Sequence, residues 1–236
     1  MSLSLYAGMG VMGRFVGLMN AALGIGGGIL MRPALREAVS GLDPHTAKGT
    51  SLFIIIFVAA VNAWRQNRGR TDIPWGLAAC LAAGSIVGGA AGAWLTGMMS
   101  GDAVTWVFIG LLGIVALRLA LSEPHPVLDV HGGRRARAAL GIGLATGLAS
   151  GMTGIGGGLV LGSLALLAGL VSNERVTALS NMVMVATCAA SATVQLMAER
   201  TLALPGTVGQ VAILLAPAIF VGAQIGSPVE IGRAHV

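Results

Sequence analysis

The sequence predicts an all-α, polytopic membrane protein built from two homologous helical repeats. Three observations predict it: an apolar composition, long charge-free runs and a glycine motif that occurs twice. Of 236 residues, 55% are hydrophobic and 10% charged, with a mean hydropathy of +0.85. That leaves too little polar surface to coat a water-soluble globule of this length. Residues 73–101, 138–173, 176–198 and 201–229 contain no Asp, Glu, Lys or Arg, and roughly 20 apolar residues in a helix cross a hydrocarbon core. The 37 glycines and the length of the runs favour helices packed through small residues over the short alternating strands of an outer-membrane barrel.

Leu23-Gly24-Ile25-Gly26-Gly27-Gly28 returns as Thr153-Gly154-Ile155-Gly156-Gly157-Gly158. The same offset pairs Gly17 with Gly147, Asn20 with Ser150, Thr50 with Ser180 and Ser51 with Asn181, and with a small drift Gly88 and Gly92 with Gly222 and Gly226. A duplication divides the chain into a first repeat at 1–122, a cytoplasmic linker at 123–137, a second repeat at 138–226 and a tail at 227–236.

In order, residues 3–22 form an apolar segment that carries Arg14 and runs into the first glycine motif, and Ile29 to Val39 reads as a half-helix. Asp43-Pro44 opens the next helix, with proline at a first-turn position. His45, Lys48, Thr50 and Ser51 crowd its first turns before Leu52 to Trp64. Arg65, Arg68 and Arg70 mark a polar loop, followed by a long helix from Ile73 to Met99 whose Gly88 and Gly92 form a GxxxG pair for close helix approach. Ala103 to Leu121 is a further span. Residues 138–173 are too long for one crossing, because 36 residues at ~1.5 Å each reach about 54 Å; the break belongs at Gly154 to Gly158. Val176 to Ala198 and Leu204 to Gly226 complete the second repeat, whose last helix is missing. Glu230 to Val236 matches the translation of a common sequencing-library adapter, so the tail reads as non-native.

The loop at 65–70 carries three arginines, and its counterpart at 198–204 has Arg200 beside Glu199. Arginine-rich loops stay in the cytoplasm, so the two loops lie on opposite sides and the repeats are inverted, an architecture in which broken helices meet near the midplane. The same short arginine loops, with aromatics at only 4%, explain the net charge of +5 without nucleic acid. Cys80 and Cys188 lie within apolar segments and read as two buried thiols.

A glycine run at a helix start exposes consecutive backbone N–H groups, and with the helix dipole these suit an anion. Glycine clusters in membrane helices also serve packing, and only the recurrence of this one at a required break singles it out. The chain lacks the Gly-Lys-Ser/Thr of a phosphate loop, any strand-borne dinucleotide motif, metal-ligand spacing of Cys or His, and a Ser-His-Asp set. It is therefore read as neither an enzyme nor a cofactor or metal protein. No carboxylate lies deep in an apolar run, so an acidic cation site is not visible. The candidate site consists of Gly24, Gly26, Gly27, Gly28, Lys48, Thr50, Ser51, Gly154, Gly156, Gly157, Gly158, Ser180 and Asn181. For Lys48 the alternatives are a snorkelling side chain at the membrane edge or a counter-charge to substrate. For Thr50 and Ser51 they are hydrogen bonds within their own helix or substrate contact.

The twin Gly-Ile-Gly-Gly-Gly motifs, Ala-Lys-Gly-Thr-Ser at 47–51 after Leu-Asp-Pro-His, and Thr-Asp-Ile-Pro-Trp at 71–75 after the arginine loop resemble the TauE/SafE sulfite exporter family. The resemblance covers about residues 3–226. It implies a multi-pass bacterial inner-membrane transporter that exports or imports small sulfur-containing anions such as sulfite or organosulfonates, with the lipid bilayer and the anion as its partners. The chain departs from a symmetric pattern at Ala178-Leu179-Ser180-Asn181, where the lysine of the first half has no counterpart. An anion channel and a non-transporting membrane subunit are the alternative readings.

Overall fold

The computed structural model describes residues 44–68, 73–121 and 133–199, and among these every regular element is a helix. Helix α1 spans Pro44–Asn67, α2 Trp75–Gly97, α3 Gly101–Leu121, α4 Gly133–Thr153, α5 Gly158–Leu167 and α6 Asn173–Glu199. The first glycine motif (Gly24, Gly26, Gly27, Gly28), the segments at 3–39, the helix at 204–226 and the tail lie outside the described residues.

Local chemistry sets the boundaries. Pro74 precedes α2, and its carbonyl takes the N–H of Ala78 at 3.0 Å. Ser100 starts α3, its hydroxyl accepting from Ala103 N–H at 3.4 Å and its carbonyl from Val104 N–H at 3.1 Å, with Asp102 in the first turn against the helix dipole. Helix α5 stops at Gly169, whose φ of 60° lets Gly169 N–H reach Leu166 O and Leu170 N–H reach Ala165 O, both at 3.0 Å. These two bonds are those of a Schellman cap. Helix α4 opens at Gly133, so Arg134, Arg135 and Arg137 ride on its first turns instead of lying in the linker.

Three helices are long and apolar enough to cross a membrane, over Lys48–Asn67, Trp75–Gly97 and Arg175–Met197. Shorter apolar stretches occur at Asp102–Leu111 and Gly158–Leu167. Large apolar side chains point outward, including Phe53, Phe57, Ile86, Val87, Ile109, Ile114 and Leu117, whereas the buried face of α2 is largely small residues. In lipid, apolar side chains gain nothing by hiding from the solvent, and close backbone approach becomes the favourable contact.

That approach is closest between α2 and α4. A Cβ on Gly84, Gly88 or Gly92 would collide with the carbonyls of Leu140, Leu144 and Leu148; one on Gly143, Gly147 or Gly151 would meet those of Leu81, Ser85 and Gly89. Each helix thus seats its glycines on the other's backbone. Contacts advance in the same direction along both chains, so α2 and α4 run parallel. Helix α6 joins them through Gly89, which faces Ser191 and Thr187, and runs antiparallel to α1, since Gly49 faces Gln195 while Gln66 bonds Asn181.

Among the described residues the arginines gather at one end. A cleft there is lined by Asn67, Ile73, Pro74, Arg175, Ala178, Leu179 and Met182, joining the end of α1 to the starts of α2 and α6. At the same end Arg135 Nη2 donates to Leu170 O at 3.1 Å, tying the end of α5 back to the start of α4. Helices α4 and α5 therefore form a hairpin that enters and leaves on the arginine side.

Candidate functional site

The tip of that hairpin is the second glycine motif. Helix α4 ends at Thr153, α5 begins at Gly158, and the break falls where the length of the run requires it. Gly154, Gly156 and Gly157 have φ of 72°, 90° and 77°, a region that costs an ordinary L-residue roughly 1–2 kcal/mol. Residues 153–158 are all buried. A Cβ on Gly156 would stand 2.9 Å from both Ile55 Cγ2 and Met184 Sδ. Those two residues lie midway along α1 and α6, so the turn is deep in the protein.

Three sequence-selected side chains converge on this turn. Lys48 is 1% exposed, and its Cγ lies 2.7 Å from where a Gly154 Cβ would be. Burial removes the snorkelling alternative: the lysine is packed on the glycine turn. Ser51 Oγ donates to Gly154 O at 3.0 Å, across to the other half of the chain rather than into its own helix. Ser180 Oγ donates to Gly158 O at 3.1 Å. Thr50 is buried at the same level.

Asn181 looks elsewhere. Its Nδ2 donates to Gln66 Oε1 at 2.9 Å and to Thr177 O at 3.0 Å, which clamps α6 to α1 on the arginine side of the turn. Several other hydroxyls are bonded within their own helices: Thr96 to Gly92 O, Thr153 to Ala149 O, Ser163 to Leu159 O and Thr187 to Val183 O. Such back-bonding is how helices satisfy hydroxyls away from water.

Sequence reasoning missed Thr146 here and singled out Ser150 only as the counterpart of Asn20. Thr146 and Ser150, one turn apart on α4, touch Gly157: a Cβ there would lie 2.9 Å from Thr146 Cγ2 and 3.2 Å from Ser150 Cβ. Both are 1% exposed; the Thr146 hydroxyl has no hydrogen-bond partner among the described residues, and the Ser150 hydroxyl meets the Cys188 thiol. The Ser150 carbonyl closes the end of α4, taking Gly154 N–H at 2.7 Å. Among the described residues, no group of His, Cys, Asp and Glu is arranged to hold a metal ion, and both cysteines are free thiols.

Two relatives carry the description probable membrane transporter protein. One, from Xylella fastidiosa (strain 9a5c), is 29% identical over 156 residues, covering 63% of this chain and 58% of the relative. The other, from Haemophilus influenzae (strain ATCC 51907 / DSM 11121 / KW20 / Rd), is 26% identical over 171 residues, covering 71% of this chain and 63% of the relative. The chain thus spans about three fifths of the length of these curated relatives. No solved structure shows a significant match. The family model described as sulfite exporter TauE/SafE matches residues 9–231, nearly the whole chain, and the chain belongs to that family of membrane transporters.

Proposed function

We propose that the chain is a secondary transporter for a small sulfur-containing anion such as sulfite or an organosulfonate, working by alternating access around its glycine breaks in the inner membrane of a bacterium. One observation carries the reading: the buried cation Lys48 and the hydroxyl of Ser51 are brought from α1 onto the backbone turn at Gly154, more than a hundred residues away. A helix break with a cation beside it is suited to a negative charge that must leave water without meeting lipid.

The antiparallel packing of α1 and α6, which hold equivalent places in the duplicated sequence, supports an inverted repeat. The clustering of Arg65, Arg68, Arg134, Arg135, Arg137 and Arg175 at one end supports a cytoplasmic location for that end. The test is flux of sulfite into vesicles reconstituted with the chain. Wild-type flux should saturate with concentration, and Lys48→Ala should lower it about tenfold, the loss expected for a hydrogen-bonded charge, with protein yield unchanged. Non-saturating single-channel currents would replace the transporter with a channel, and unaltered flux in Lys48→Ala would remove Lys48 from the mechanism.

A further inference from the structure

We infer that the seam between α1 and α6 carries two amide gates, Gln66 with Asn181 at the arginine end and Gln195 over Gly49 at the other, which admit the anion to the glycine turn from opposite faces of the membrane. The inference rests on the transporter reading above and says what opens its buried site. The turn and Lys48 are sealed in this conformation, since residues 153–158 are buried and Lys48 is 1% exposed. Something must move before an anion can arrive. At the arginine end Gln66 Oε1 accepts from Asn181 Nδ2 at 2.9 Å, across the seam. At the other end a Cβ on Gly49 would lie 3.2 Å from Gln195 Nε2, so the buried Gln195 amide rests on the residue next to Lys48. The offset that pairs Thr50 with Ser180 brings Gln66 to within one residue of Gln195, and the two glutamines thus hold nearly equivalent places in the duplicated sequence.

Between the gates the seam is apolar. Leu52, Ile55 and Ala59 of α1 pack on Met184 and Cys188 of α6, and the turn is wedged at its middle, where Gly156 meets Ile55 and Met184. That contact is a fulcrum: two antiparallel helices that rock on it separate at one end while closing at the other. The neutral amides at the ends suit such a motion. Breaking and remaking an amide pair removes no charge from water, and an average side-chain hydrogen bond between membrane helices shifts an equilibrium only about threefold.

The cleft at the arginine end supplies one approach. It is lined by Asn67, the neighbour of Gln66, and by Ala178 and Met182, which flank Asn181 along α6, and the exposed Arg175 stands at its mouth. An anion drawn into the cleft by that charge arrives at the Gln66–Asn181 bond. Cys188 is a built-in reporter of what lies behind it. The thiol is fully buried and stands midway between Asn181 and Gln195 on α6, about two turns from each.

Cys80→Ser leaves Cys188 as the single thiol of the chain, and its modification by the membrane-impermeant anion 2-sulfonatoethyl methanethiosulfonate is followed in vesicles that expose one face or the other. Gln66→Met removes the acceptor and keeps the side-chain length, and it should speed modification about threefold from one face only. Gln195→Ala should do so from the opposite face only. Gln66→Glu, which keeps an oxygen for the Asn181 N–H, should react as the parent does. Asn181→Ala should match Gln66→Met, so that failure of one variant to fold leaves the other to decide. Rates unchanged in the Gln66→Met, Asn181→Ala and Gln195→Ala variants, or raised equally from both faces, would overturn the inference. Face-specific modification in a chain that moves no sulfite would keep the gates and remove the anion reading instead.

Discussion

At Gly157 the backbone does two things an alanine cannot do. It holds φ at 77°, and it lets α4 pass with Thr146 Cγ2 only 2.9 Å from the missing Cβ. Gly157→Ala is expected to lower stability by about 1–2 kcal/mol from backbone strain alone, read as a fall in melting temperature, and to reduce sulfite flux. Ser51→Ala is the milder change. It leaves Gly154 O without its hydrogen bond, and a loss of about 1 kcal/mol is expected, measured by the same thermal denaturation. Lys48 was legible as the cation nearest a candidate site, but its burial was not. The first turns of α1 look like a membrane edge in sequence, and only their packing under the hairpin tip encloses the side chain.

At the scale of elements, α2 and α4 behave as one unit because their glycines interlock from both sides. The sequence showed Gly88 and Gly92 as a contact stripe but not its partner; the matching series Gly143, Gly147, Gly151 lies on a helix opened by three arginines. Two substitutions on α4 separate the faces. Gly143→Ala would drive a Cβ into the Leu81 carbonyl, and overpacking of this kind costs about 1–3 kcal/mol. Gly141→Ala meets nothing within 4 Å, and alanine is the better helix former by up to about 1 kcal/mol. Size-exclusion profiles in detergent should therefore show loss of folded protein for Gly143→Ala and none for Gly141→Ala. Helix α5 shows the complementary principle. It is 10 residues long, about 15 Å, and cannot cross a bilayer, so it returns beside α4 and is held there by Arg135 and the cap at Gly169.

At the scale of the molecule, the four tryptophans mark two levels. Trp64 and Trp75 flank the turn between α1 and α2 at the arginine end, and Trp94 and Trp106 flank the turn between α2 and α3 at the other; all four are exposed. Along α2, Trp75 and Trp94 are separated by about 28 Å at ~1.5 Å per residue, close to the thickness of a hydrocarbon core of about 30 Å. Tryptophan prefers such interfaces, and Arg68 lies over the Trp64 ring at 5.0 Å, on the polar side of that level. With the arginine end in the cytoplasm, a cysteine placed at Arg68 should be labelled by a membrane-impermeant thiol reagent only in inverted vesicles. One at Asp102 should be labelled only in right-side-out cells. The reverse pattern would overturn the assigned orientation.

Composition and run length determined that the protein is helical and apolar enough for a bilayer, because charge-free runs of that length have few other solutions. The length of residues 138–173 fixed a break, and glycine chemistry placed it at Gly154 to Gly158. Tertiary structure decided which groups meet at that break. Lys48 and Ser51 come from α1, Ser180 comes from α6, Asn181 is turned away to Gln66, and Thr146 and Ser150 pack against Gly157 from α4. A spacing pattern gives the face of a helix on which a side chain stands. Which helix stands opposite depends on backbones approaching through glycine, a contact without side chains and so without a signature of its partner.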